Sequence, residues 1–149
     1  MDDTDRQILR VLQENSGQAI SEIARQVGLS PSPCWKRVNK LQADGIIQKQ
    51  VAILDPVTLG LGLTVFVSIE TGEHSSDWLR AFAAFLAEKA EVQEFHRMAG
   101  DVDYLLKVVV PDMAAFDQFY KELVDQTALT KVTSRFSMET IKFTTALPI

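Results

Sequence analysis

Val27-Gly28-Leu29-Ser30-Pro31-Ser32-Pro33-Cys34-Trp35-Lys36-Arg37-Val38 is the stretch whose reading decides the fold of this 149-residue chain. Gly28 can take the positive φ that closes a helix C-terminus. Ser30 is an N-cap residue, and Pro31 stands at the first helical position, where its missing N–H costs nothing. Upstream, Ile20, Ile23, Ala24 and Val27 recur at i, i+3, i+4, i+7, the stripe of one buried helix face. Downstream, a further helix runs to about Asp44 and stops at Gly45. Before both, Asp3 or Thr4 caps a first helix with Ile8, Val11 and Leu12 on its inner face, ended by Glu14-Asn15-Ser16-Gly17. Three short helices, with the tight turn Gly28-Leu29-Ser30 between the second and third, outline a helix-turn-helix.

On a helical wheel of roughly 100° per residue, Cys34, Val38 and Leu41 fall together and face the other helices. Ser32, Lys36 and Asn39 lie opposite, with Trp35 at one edge and Arg37 and Lys40 toward the other. Hydroxyls, an amide and cations on one face suit a helix whose first residues reach base edges and whose cations meet phosphate. The candidate DNA contacts are Ser30, Ser32, Trp35, Lys36, Arg37, Asn39 and Lys40. Cations on an arbitrary helix usually form only a solvated face; here the preceding helix, the turn and the cap favour the DNA reading. Trp35 can equally serve packing. Cys34 reads as a small buried hydrophobe.

A net charge of −5 sits awkwardly with a nucleic-acid partner, but the average hides a division. Residues 1–60 hold seven acidic and seven basic side chains, so the remainder carries the whole −5. Between Ser16 and Lys49 there are five bases against Glu22 and Asp44 alone. With 46% hydrophobic and 23% charged residues, the composition excludes a disordered or low-complexity chain. No apolar run suits a membrane span, and the acidic start, with Asp2, Asp3 and Asp5, does not resemble a signal peptide, so a cytoplasmic setting is expected.

After Gly45, Ile46 to Ile53 reads as extended structure, a small wing or the start of a linker strand. Asp55-Pro56 and Gly60-Leu61-Gly62 punctuate the chain, placing a boundary between a DNA-binding part, residues 1–60, and a second domain, 61–149. Thr64–Glu70 alternates as a strand, Ser75-Ser76-Asp77 caps a helix bearing Trp78, Phe82, Phe85 and Leu86, and Val92–Met98 and Tyr104–Val110 read as two more strands. Pro111-Asp112 opens a helix with Met113, Phe116, Phe119, Tyr120, Leu123 and Val124 on one face, and Val132–Thr144 reads as a long final strand. The order βαββαβ predicts a ferredoxin-like α+β domain with both helices on one face of four antiparallel strands. Phe66 and the runs Leu105-Leu106 and Val108-Val109-Val110 place apolar groups on the other face too, which predicts burial against a second copy.

The stretch Val27–Val38 with Leu41 and Asp44-Gly45-Ile46-Ile47 resembles the DNA-binding half of the Lrp/AsnC (leucine-responsive regulator/asparagine regulator) family. Met98-Ala99-Gly100-Asp101-Val102-Asp103-Tyr104-Leu105-Leu106, then Val110-Pro111-Asp112-Met113, resembles that family's effector-binding and oligomerisation domain. Pro33–Arg37, Leu59–Thr64 and the ending Ile141–Pro148 look most like the branch containing a cysteine-responsive regulator of cysteine detoxification. The resemblance implies a transcription regulator of amino-acid metabolism whose dimers join into octamers or other rings. It also implies a small effector, usually an amino acid, bound between dimers. Carried over by position, Gly100, Asp101, Asp103 and Tyr104 line that site, and Thr133 and Ser134 approach it from a neighbouring loop.

The chemistry suits an amino acid. A carboxylate such as Asp101 or Asp103 can hold an ammonium, and hydroxyls such as those of Thr133 and Ser134 can hold a carboxylate. Gly100-Asp101 is also an ordinary turn pair on conformational grounds. Cysteine is the first candidate effector and a branched aliphatic amino acid the second. No metal site or other cofactor is expected from one cysteine, Cys34, and two histidines, His74 and His96. With no nucleophile–base pair and no phosphate-cradling glycine loop, the sequence does not read as an enzyme.

Overall fold

The structure, a computed structural model, describes residues 1–126 and 129–149, apart from the side chain of Gln126. The chain divides into two compact units, Met1–Ile53 with Ile141–Ile149, and Leu54–Thr140. The units differ from the expected 1–60 and 61–149 in two places: residues 54–60 group with the second unit, and the last nine residues with the first. There Gln13 pairs with the Leu147 backbone in both directions, donating to its carbonyl (3.2 Å) and accepting from its N–H (2.6 Å). Arg10 Nε donates to the Ile149 carbonyl at 2.6 Å, and Ile149 packs against that unit's core.

In the first unit, α1 (Asp3–Glu14), α2 (Ile20–Gln26) and α3 (Pro31–Ala43) surround Ile8, Leu12, Ile23, Ala24, Cys34, Val38 and Leu41. The α1 cap is Asp2, one residue before the expected position; a reciprocal bond with Asp5 selects it, since Asp2 can accept from the Asp5 N–H only from there. Gly28 (φ 69°) and Gly45 (φ 73°) take the left-handed conformation that ends α2 and α3. Ser30 precedes α3 as expected, but its side chain makes no capping bond. Residues 46–55 form no strand: among the described residues that stretch has no ladder partner.

In the second unit, β1 (Leu63–Glu70), α4 (Ser76–Ala87), β2 (Val92–Arg97), β3 (Tyr104–Val110), α5 (Met113–Gln126) and β4 (Lys131–Phe136) follow the expected order. The sheet runs β2-β3-β1-β4, antiparallel throughout. Val65, Val67, Ile69, Leu106 and Val108 face Phe82, Leu86, Phe116, Phe119 and Leu123 from the two helices. β4 ends at Phe136, short of the expected Thr144. Its ladder reaches Val65, Ser137 N–H still bonds the Thr64 carbonyl, and β1 begins at Leu63, so β1 offers no partner to residues beyond 138.

The register places Phe66, Leu105 and Val109 on the face away from the helices, as expected. Phe66 is 38% exposed. Charge interrupts this apolar group: Lys107 pairs with Glu94 at 3.2 Å, Arg135 donates to Ser68 Oγ at 2.7 Å, and Lys131 pairs with Glu70 at 3.1 Å. A second copy covering this face would have to match those charges as well as the apolar group.

Candidate functional site

Cys34, Val38 and Leu41 face inward from α3, which leaves Ser32, Trp35 and Lys36 exposed on its outer side and Asn39 half-buried. Trp35 is 56% exposed and lies outside the unit's core. The cations differ in their surroundings. Lys40 pairs with Asp44 one turn along at 2.6 Å, which raises its pKa. Arg37 Nη1 donates to Asp2 Oδ2 and to Asp5 Oδ1, each at 2.7 Å. Lys36 has no ion-pair partner among the described residues. Met1, Asp2, Asp5, Lys36, Arg37 and Lys40 line a shallow concavity beside the helix. Ser32, Trp35 and Lys36 thus stand open to a ligand, while Arg37 and Lys40 are already engaged. Burial pushes the Cys34 thiol pKa up, which leaves it a core residue.

The second candidate lies at one end of the sheet. The β2–β3 turn closes through Met98 N–H on the Asp103 carbonyl (2.8 Å), and Gly100 supplies a φ of 142° within it. Asp103 ties the turn to β1: its N–H donates to the Ile69 carbonyl (2.9 Å), and its carboxylate accepts from the buried Thr71 N–H (2.8 Å). Thr71 Oγ1 accepts from the Glu73 N–H at 3.1 Å, Glu73 Oε1 from the Ser75 N–H at 2.9 Å, and Ser75 Oγ from the Trp78 N–H at 3.2 Å. The bond from Ser75 is the main reason the Glu73 carboxyl sits below its usual range. Thr130 N–H donates to the Glu70 carbonyl at 2.9 Å, bringing a third loop to the same end. These bonds link the turn, by way of Thr71, Glu73 and Ser75, to the start of α4.

Only part of the expected effector set meets there. Asp101 is exposed, and no group among the described residues bonds its carboxylate. Tyr104 is not beside it: alternation along β3 turns its ring inward, 3% exposed, against Trp78, Phe82 and Phe95. Thr133 pairs with Ser68 and Ser134 with Val67, so the two point to opposite faces of the sheet. β1 also lies between β4 and β3, which puts these residues roughly 10 Å across the sheet from the strand carrying the turn. One chain does not bring Thr133 and Ser134 to Asp101. Sequence reasoning missed Thr71, Glu73 and Thr130, which nothing in the linear pattern connects to the turn.

The family model for the Lrp/AsnC ligand binding domain matches residues 64–147, and that for a winged helix-turn-helix DNA-binding domain matches residues 1–48. The chain belongs to the Lrp/AsnC family. Within this family, the DNA-binding transcriptional activator DecR of Escherichia coli K12 is 48% identical over 150 residues, covering 100% of this chain and 99% of DecR. The crystal structure of an AsnC family transcriptional regulator from Agrobacterium tumefaciens superposes with a TM-score of 0.96 at 53% identity, covering 99% of this chain and 97% of that one. A Neisseria meningitidis transcriptional regulator, crystallised as an L-Met complex, superposes with a TM-score of 0.95 at 36% identity, covering 99% and 96%. This Lrp/AsnC protein is accordingly a DNA-binding transcription regulator with a ligand-binding domain, not an enzyme. No helix among its described residues is long and apolar enough to cross a membrane.

Proposed function

We propose that this regulator binds duplex DNA through the outer face of α3 and responds to a small amino acid held at the β2–β3 turn. The observation that carries the effector reading is the exposed Asp101 carboxylate, unengaged among the described residues, in a turn bonded through Asp103 to the start of α4. An ammonium there gains a charge-assisted bond without breaking an existing one. The L-Met complex of the Neisseria meningitidis relative supports the ligand class. Cysteine stays the first candidate from the branch resemblance, with methionine and a branched aliphatic amino acid next. On the DNA side the contacts are Ser30, Ser32, Trp35, Lys36, Asn39 and, once Asp44 releases it, Lys40. The protein works in the cytoplasm as a homodimer assembling to an octamer, and another subunit supplies what Thr133 and Ser134 cannot bring within one chain.

The test is fluorescence anisotropy with a 30-bp duplex enriched from a random library by the wild-type protein, titrated with and without each of the twenty amino acids. One or a few should shift the affinity; a tenfold shift corresponds to about 1.4 kcal/mol of coupling. No DNA binding at any salt concentration refutes the interface, and no response to any amino acid refutes the effector class. Light scattering at micromolar concentration should give at least a dimer. A monodisperse 16.6 kDa monomer refutes the assembly.

A further inference from the structure

Arg37 sits on the helix proposed to meet DNA, yet its surroundings suit a different task. Its Nη1 bridges Asp2 Oδ2 and Asp5 Oδ1 at 2.7 Å each. The other oxygens of the same two carboxylates close the α1 capping box: Asp2 Oδ1 accepts from the Asp5 N–H at 2.8 Å, and Asp5 Oδ2 from the Asp2 N–H at 2.9 Å. Each carboxylate therefore spends one oxygen on the start of α1 and the other on α3. The Arg37 charge is therefore already shared between two carboxylates, and a phosphate meeting its remaining N–H groups would sit beside both anions.

We propose that Arg37 is a positioning residue that makes no phosphate contact: through Asp2 and Asp5 it fixes α3 against the N-terminus of α1, so that Ser32 and Lys36 are presented in register. The inference rests on the α3 interface reading. The apolar contacts of Cys34, Val38 and Leu41 hold the inner face of α3 against the core through non-directional packing. The Arg37 bridge is directional, and it joins residues 32 and 35 positions apart in the chain. The Lys40–Asp44 pair lies within four residues and cannot set α3 against anything else. Arg37 is also the less exposed of the two cations, at 35%.

The test is a double-mutant cycle on the full chain, with affinity measured for the selected 30-bp duplex and for poly(dI-dC) as non-specific DNA. Arg37→Ala, and Asp2→Asn with Asp5→Asn, should each weaken binding to the selected duplex by at least about fivefold and lower its ratio to poly(dI-dC) binding. Adding Arg37→Ala to the aspartate variant should cost nothing further, and Arg37→Lys should recover part of the loss. The slope of log affinity against log salt should stay at the wild-type value. A residue that only supported global stability would leave the selected-to-non-specific ratio of the folded protein unchanged. The proposal is overturned if Arg37→Ala costs the same in both backgrounds with a slope reduced by about 0.9, as for a lost phosphate contact. Tighter binding of the selected duplex by the aspartate variant also overturns it. If Arg37→Ala does not fold by circular dichroism, the same cycle runs with Arg37→Gln. Lys36→Ala separates the two layers: unchanged affinity and slope there reject the interface, whereas additivity in the cycle rejects the strut.

Discussion

Replacing Asp103 separates its structural role from its binding role. Asp103→Ala removes the acceptor of the Thr71 N–H bond at 2.8 Å, and Thr71 is buried, so water does not readily replace it. Leaving such a donor unsatisfied costs about 1–3 kcal/mol. In a unit the size of Leu54–Thr140, each kcal/mol lowers the melting temperature by about 4–8 °C. Asp103→Asn keeps an acceptor oxygen for Thr71 but exchanges a charge-assisted bond for a neutral one of roughly half the strength, so its drop should be smaller. Asp101→Asn removes no bond among the described residues and should melt as the wild type does. Differential scanning fluorimetry of the three variants gives that order directly. Repeating it with an amino acid at a hundred times its dissociation constant should raise the wild-type stability by about 2.7 kcal/mol, and loss of the ammonium partner should abolish the rise. Wild-type melting of Asp103→Ala would refute the tie between the turn and β1. A ligand response surviving Asp101→Asn combined with Asp103→Asn would move the effector elsewhere.

Trp35→Ala should leave the unfolding free energy within about 0.5 kcal/mol of the wild type, as for an exposed residue without a packing role, while weakening binding to the selected duplex. Chemical denaturation and anisotropy measure the two effects side by side. Cys34, buried and with its thiol pKa raised by that burial, should resist an aromatic disulfide reagent at pH 8 and react fully once guanidinium unfolds the chain. Fast labelling of the native protein would contradict the packing of α3. Acid should loosen the start of α1: the Asp2 and Asp5 carboxyls are held below their usual range, first by each other's backbone N–H and then by Arg37. Carboxyls depressed in the folded state contribute stability above their unfolded value near 3.8 and lose it as pH falls through the folded value. Stability should therefore decline from about pH 4 downward, less steeply in Asp2→Asn with Asp5→Asn, as measured by denaturant midpoints across pH.

Local chemistry was enough to read the helices and most of the strands from the sequence. Gly28 and Gly45 end α2 and α3 because positive φ is a property of the residue itself, and the inner stripe of Cys34, Val38 and Leu41 follows from the period of a helix. The family resemblance was legible for the same reason, since its motifs are contiguous. Partnership across the chain was not. The sequence offered Arg37 as a phosphate contact because nothing within several residues neutralises it; only folding brings Asp2 and Asp5 to it. Tyr104 looked like part of the turn until the register of β3 turned its ring into the core, and Thr133 and Ser134 looked like a pair until pairing with β1 pointed them to opposite faces. β4 was read too long because a strand ends where its ladder partner ends, which composition does not record. A residue's backbone preference belongs to it and its near neighbours, whereas the group that meets its side chain is chosen by packing across the whole chain, and the contacts of Arg37, Asp103 and Thr71 belong to that second kind.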